Sequence, residues 1–309
     1  MAERRWWWRA GQWVLAIGVV TLATRYLAGQ WNALRGQAIN WHVSIGWLLA
    51  SAGITWGAYA ALIEAWRRVV VSQRQRLSYR DAARITQVSN LGKYVPGKVW
   101  AIAGAAYLAQ GVGVAPAAAI ASAVVLQALA LASGVVLVAI LAPGLRAALP
   151  GGFPIAAGAL GIAALAGVAA LTSRRALTVL QRLLPKSVPP LEPIQPGVMA
   201  LAFLVNVAAW GAYGLAFQCL VQGLVPDANV GWALATSVFT ASYLVGLVAA
   251  IAPGGVGVRE SMFVVLLAGP LGVKLAGALA LASRVMLTIT ELGAAVPFLI
   301  IGKTQGDRR

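Results

Sequence analysis

Apolar runs of roughly 18 residues or more recur along this chain, each long enough to cross the hydrocarbon core of a bilayer as a helix. Six such stretches read as full spans: 10–29, 42–66, 115–141, 153–172, 198–222 and 277–302. Hydrophobic residues make up 60% of the 309 and charged residues only 10%. A soluble domain carries roughly 25% charged residues and cannot hide so much apolar surface in one core. Strand-sized alternation is missing from the sequence, which argues against an outer-membrane barrel. The expected fold class is therefore an all-α polytopic membrane protein, with residues 1–309 forming a single transmembrane domain.

Two further apolar segments, 81–110 and 231–268, are interrupted. The first break is Lys93-Tyr94-Val95-Pro96-Gly97-Lys98, and the second runs from Ala252-Pro253-Gly254-Gly255 through Val256-Gly257-Val258-Arg259-Glu260. Proline removes a backbone donor and glycine permits left-handed turns, so neither stretch continues a helix comfortably. In lipid a broken helix survives only where protein or a wet cavity satisfies the freed backbone groups. Each break is then either a kink or ordinary loop, or the tip of a re-entrant helical hairpin.

Charge placement favours the hairpins, giving six full spans plus two broken re-entrant segments, or eight membrane segments in all. With the N-terminus cytoplasmic and both broken segments returning to the side they entered, fifteen basic residues fall inside and three, Arg35, Arg146 and Lys274, outside. The remaining six are at membrane depth or at the breaks: Arg25, Arg84, Lys93, Lys98, Arg259 and Arg284. If either broken segment crossed once, a basic loop would move outside. Both termini are thus expected in the cytoplasm of a bacterium, and the protein in its cytoplasmic (inner) membrane. Each half also runs span, span, broken hairpin, span, which reads as an inverted-topology repeat of 1–145 and 150–309 despite little residue-level similarity.

The N-terminus, Arg4-Arg5-Trp6-Trp7-Trp8-Arg9 before an apolar run, reads either as a cleaved signal peptide or as an uncleaved first span. The lack of a small-x-small cleavage site and the interruption at Arg25 favour the span. Trp31, Trp41, Trp66 and Trp232 sit near other span ends and fit interfacial anchoring, whereas Trp210 lies mid-span and suits packing.

The net charge of +16 would suggest nucleic acid in a soluble protein, but here it sits in short loops and fits topology and anionic lipid headgroups instead. The lone Cys219 and lone His42 rule against a disulfide within the chain, a soft-metal site and a Ser-His-Asp triad. No acidic cluster suits metal-dependent transfer, no nucleotide motif is present, and no cofactor is expected. The chain is not expected to be an enzyme.

Ionisable groups at membrane depth cost roughly 2.5–3.5 kcal/mol each and are therefore the candidate functional residues. The first set is Asn90, Lys93, Tyr94 and Lys98 around Pro96-Gly97. Either the two lysines, the turn and a following helix N-terminus hold a phosphate, or the lysines snorkel to the surface and only orient the chain. The second set is Pro253, Gly254, Gly255, Gly257, Arg259 and Glu260. Its glycines allow close backbone approach, Arg259 suits a phosphate, and Glu260 would neutralise Arg259 in the absence of ligand. The alternative is a structural turn with a local ion pair. Arg284 and Glu291, seven residues apart, share a helix face but are too far apart for an ideal pair, so either can address the second hairpin. Glu64, close to Trp66, reads as interfacial.

The stretch Ser89-Asn90-Leu91-Gly92-Lys93-Tyr94-Val95-Pro96-Gly97-Lys98-Val99-Trp100, followed later by Pro253-Gly254-Gly255-Val256-Gly257-Val258-Arg259-Glu260, resembles the paired signatures of the lysylphosphatidylglycerol synthase transmembrane (flippase-like) family. The resemblance covers nearly the whole chain in length, hydropathy and motif order. In bifunctional members a soluble aminoacyltransferase domain follows this membrane unit. Here the sequence ends at Arg309, so the resemblance implies the membrane half only, translocation of a lipid between leaflets, and not synthase activity. The expected partners are membrane lipids, a phospholipid or another lipid with an anionic or zwitterionic headgroup, and not nucleic acid. Two other functions stand beside it: secondary transport of a small anion, and a non-catalytic partnership with a lipid-modifying or glycosyltransferase enzyme.

Overall fold

The computed structural model describes residues 41–94, 99–141, 193–248 and 257–300, with isolated positions between 159 and 178. The expected first span, almost all of the span at 153–172, both chain termini, and the candidate residues Pro96, Gly97, Lys98, Pro253, Gly254 and Gly255 lie outside the described residues.

The described residues are all-helical. Helix α1 is Ile45–Ser72, α2 is Tyr79–Asn90, and a 3-10 turn, Leu91–Tyr94, follows α2 directly. Then come α3 (Val99–Gln110), α4 (Pro116–Leu141), α5 (Pro196–Leu224), α6 (Trp232–Val248), α7 (Val258–Leu271) and α8 (Val273–Ile300). Four of these, α1, α4, α5 and α8, are long and apolar enough to cross a membrane. The chemistry of their starts is visible in sequence. Proline opens α4 and α5, where a missing N–H costs nothing. Gly272, at φ 78°, ends α7 and lets α8 begin at once in a new direction.

The expected spans 42–66, 115–141, 198–222 and 277–302 correspond to α4 within a residue and to α1, α5 and α8 with shifted ends. The largest shift is at α1, which runs six residues beyond Trp66 to Ser72. Trp66 is consequently no interfacial anchor: it is buried with Ile63 and Val70 against Ala82 and Ile85 of α2 and Ala105 and Ala109 of α3. The hydropathy drop at Arg67-Arg68 marks only one face of the helix. On that face Arg67 and Arg68 both bond Glu64, at 2.7 Å each, which agrees with an interfacial place for Glu64. Trp232 stays exposed and donates to the Gly211 carbonyl, and Trp210 packs in the core and donates to Ala130.

Both interrupted segments become two short helices packed on one another, α2 with α3 and α6 with α7. Ser78 caps α2 by accepting from the Asp81 amide. Gly92 is needed where the 3-10 turn meets α3, because a Cβ there would lie 2.7 Å from the Ala101 backbone nitrogen.

Among the described residues, α1 and α5 pack antiparallel along much of their length. His42 and Ser44, ahead of α1, donate to Leu224 and Gly223 at the end of α5, while Ala65 and Val69 meet Met199 and Ala202 near its beginning. The second-half core joins α5 to α8 through Trp210, Phe217, Phe239 and Phe263. Many large apolar side chains on the long helices remain exposed, among them Leu49, Val124, Ile140, Leu204 and Ile289. Such a surface is disfavoured in water and suits acyl chains.

Candidate functional site

Helix α8 is where the two interrupted segments meet. Leu91 and Tyr94 of the 3-10 turn pack against Leu292, Ala295 and Leu299 of α8, which seats the turn beside Glu291. Lys93 Nζ lies 2.5 Å from Glu291 Oε1, and Tyr94 Oη donates to Oε2 at 2.7 Å. The ammonium also sits 5.5 Å from the Tyr94 ring centroid. The carboxylate side chain is 7% exposed and the lysine 26%, so the ion pair has one buried and one accessible partner. Asn90 ends α2 half-buried and is not among the groups bonded to Glu291.

Two turns earlier on α8, Arg284 faces the other segment. Its Nη1 is 3.6 Å from Glu260 Oε1 on α7; the arginine is buried and the glutamate partly buried. Glu260 Oε2 accepts from the Gly257 amide at 2.7 Å, closing the first turn of α7. Gly257 itself sits at φ 82°, a conformation that favours glycine. The expected neutralisation of Arg259 by Glu260 involves no direct contact: Glu260 bonds elsewhere and acts on Arg259 only through space. Adjacent helical residues point about 100° apart, so Glu260 turns to Arg284 and the helix end while Arg259 turns into the core.

Arg259, 5% exposed, donates from Nη2 to Ser283 Oγ at 3.0 Å. Its guanidinium lies 5.0, 5.8 and 5.4 Å from the ring centroids of Phe239, Tyr243 and Phe263. Its Nε has no hydrogen-bond partner, and it makes no ion pair with a carboxylate, among the described residues. Cation–π attraction in a dry site offsets part of the desolvation cost, about 2 kcal/mol. Ser283 also lines a small pocket between α1, α5, α6 and α8, together with Ser51, Thr55, Tyr213 and Phe239.

Of the candidate residues, Lys93, Tyr94 and Glu291 thus form one cluster and Gly257, Arg259, Glu260 and Arg284 a second, each with one member on α8. Ser283 and the aromatic ring set were not singled out in the sequence. A serine beside a deep arginine is the only local signal for the first. The rings come from α6 and α7 and resemble ordinary core residues in isolation.

No curated protein matches the chain. The model of the lysylphosphatidylglycerol synthase TM region matches residues 13–292, both clusters included, and the chain belongs to that family.

Proposed function

We propose that the protein moves a lipid with an anionic or zwitterionic headgroup between leaflets, without a catalytic step. The observation that carries this is the setting of Arg259, whose buried guanidinium rests on three rings and the Ser283 hydroxyl and makes no ion pair with a carboxylate among the described residues. An uncompensated buried cation is expensive, and a phosphate would supply the missing charge bidentately. The headgroup would enter between the two interrupted segments, held by Lys93, Lys98 and Arg259, while its tails stay against the exposed apolar faces of the long helices.

The same reading takes the two packed helix pairs as re-entrant hairpins entering from opposite faces of the inner membrane, with both termini cytoplasmic. The antiparallel union of α1 and α5, the second spans of the two halves, supports an inverted repeat. Alternating exposure of the halves around α8 would carry the headgroup across.

The test is reconstitution into phosphatidylcholine vesicles containing a trace of fluorescent phosphatidylglycerol, with dithionite reporting the outer leaflet. The wild type should speed exchange, and Lys93→Ala/Arg259→Ala should slow it at least about tenfold, the loss expected from one charge-assisted contact. Equal rates would sink the mechanism. Uptake of inorganic phosphate without lipid exchange would favour a small-anion transporter.

A further inference from the structure

We infer that the loop joining α1 to α2 holds the headgroup phosphate of an anionic phospholipid, drawn from the leaflet at that end of α1. This site is separate from the two clusters on α8 and does not depend on the protein moving lipid. Between Glu64 and Arg84 the chain carries six arginines, Arg67, Arg68, Arg74, Arg76, Arg80 and Arg84, against two carboxylates. Both carboxylates are committed. Glu64 takes Arg67 through two bonds, at 2.7 and 2.8 Å, and Arg68 through a third at 2.7 Å. Asp81 accepts from the Ser78 hydroxyl at 2.6 Å and sits in the first turn of α2, where the helix end also favours its charge. Arg76 and Arg80 are exposed, and neither pairs with a carboxylate among the described residues. Helices α3 and α4, which pack behind the loop, carry no charged residue.

The loop is built to keep its arginines outward. Residues 73–76 alternate glutamine and arginine. Gln73 is buried and donates from Nε2 to Ser122 Oγ on α4 at 2.7 Å. Gln75 Oε1 accepts from the Ala115 amide at 3.0 Å, just ahead of α4. The glutamines thus anchor the loop inward and leave Arg74 and Arg76 exposed. Arg74 sits at φ 60°, in the left-handed region just past the end of α1, where glycine would be the cheaper residue. An arginine held there, on a loop fixed from behind, is preorganised for an anion. A guanidinium meets a phosphate through parallel N–H bonds.

The apolar neighbours favour a lipid phosphate over an acidic protein. Helix α1 is long and apolar enough to cross a membrane. Val71, close to one turn after Arg68, and Tyr79, next to Arg80, are exposed, and so are Ala60 and Ala61 on the flank of α1. Tyr79 Oη donates to the Ala60 carbonyl at 3.2 Å, which lays the ring against that flank. Arginines next to an exposed tyrosine and an apolar helix flank have the composition of a membrane interface. An acyl chain covers the flank while its phosphate meets the arginines. An acidic protein would answer the charge and leave the flank bare. The site lies apart from Lys93, because the 12 residues of α2 put about 18 Å of helix between them.

The deciding experiment is native mass spectrometry of the purified full chain in detergent, titrated with dioctanoyl phosphatidylglycerol or dioctanoyl phosphatidylcholine. It is run on the wild type and on Lys93→Ala/Arg259→Ala, so that binding at the α8 clusters is set apart. A phosphatidylglycerol that survives Lys93→Ala/Arg259→Ala, bound at least about tenfold more tightly than phosphatidylcholine, is expected. Adding Arg76→Gln/Arg80→Gln should weaken it about 25-fold, about fivefold for each arginine. Equal affinity for the two lipids, or a phosphatidylglycerol affinity indifferent to Arg76→Gln/Arg80→Gln, overturns the site. So does tighter binding of glycerol phosphate, which would make the ligand a soluble phosphate, or of a glutamate-rich peptide, which would make it an acidic protein. If phosphatidylglycerol binding vanishes with Lys93→Ala/Arg259→Ala, the α8 clusters hold the lipid alone, and this inference falls while the proposed function stands. Photo-crosslinking of the wild type with a phosphatidylglycerol carrying a diazirine in its acyl chain decides without any variant. Adducts in residues 57–80 are expected, and their absence overturns the site.

Discussion

Replacing Lys93 by methionine keeps most of the side-chain volume and removes the charge that compensates Glu291. Breaking a fully buried ion pair by deleting one partner costs about 3–5 kcal/mol. Here the lysine side chain is 26% exposed, so water screens part of the attraction, and the Tyr94 hydroxyl still bonds the carboxylate. With those two reductions the expected loss is about 2 kcal/mol. Glu291→Gln, which leaves the ammonium able to reach water, should cost about 1 kcal/mol. The double variant removes both charges and should cost about 1.5 kcal/mol where additivity would give about 3, a coupling energy of about 1.5 kcal/mol. The assay is unfolding by dodecyl sulfate in mixed micelles, followed by fluorescence of the protein's 12 tryptophans. Strictly additive single and double variants would refute the claim that Lys93 and Glu291 neutralise one another.

Gly214→Ala should destabilise the protein by about 1–3 kcal/mol in the same assay, because the new Cβ would lie 2.0 Å from Thr236 Oγ1 and 2.4 Å from its Cα where α5 crosses α6. Gly92→Ala would set a Cβ 2.7 Å from the Ala101 nitrogen, displacing the turn that carries Lys93 and Tyr94. Lipid exchange in vesicles should fall at least about tenfold, as for loss of a charged contact. Arg259→Lys keeps the charge but cannot spread a planar cation over Phe239, Tyr243 and Phe263. It should lower phosphatidylglycerol affinity about tenfold in calorimetric titration, and an unchanged affinity would remove Arg259 from the site.

The membrane class and four long helices were legible because hydropathy is a local property that a span of twenty residues must display. The breaks were legible for the same reason, since Pro96-Gly97 and Pro253-Gly254-Gly255 interrupt apolar runs on their own. Two contacts run counter to proximity in sequence. Glu260 pairs with Arg284 and not directly with Arg259, one residue away, because a helix sends adjacent side chains to different faces. Trp66 was placed at an interface because arginines follow it, whereas the helix continues and those arginines occupy its other side with Glu64. The pairing of Lys93 with Glu291 joins positions 198 residues apart and is fixed by packing of Leu91 and Tyr94 on α8. No local pattern encodes such a contact. The spacing of Arg284 and Glu291 was informative in a limited way: it placed both on one face without naming their partners.

That spacing has a mechanical consequence. Seven residues separate the two charges by about 10 Å along the axis of α8 and return them to nearly the same side. Arg284 addresses the α6–α7 pair through Glu260, and Glu291 addresses the α2–α3 pair through Lys93. The signs are reversed: α8 offers a cation to one pair and an anion to the other. The two ion pairs hold both segments against one helix. On the proposed function, an anion entering between them would compete with Glu291 for Lys93 and with Glu260 for Arg284, and would weaken both attachments of α8 at once. Movement would then be favoured only with the headgroup bound, which is what a carrier requires if empty cycles are to be rare.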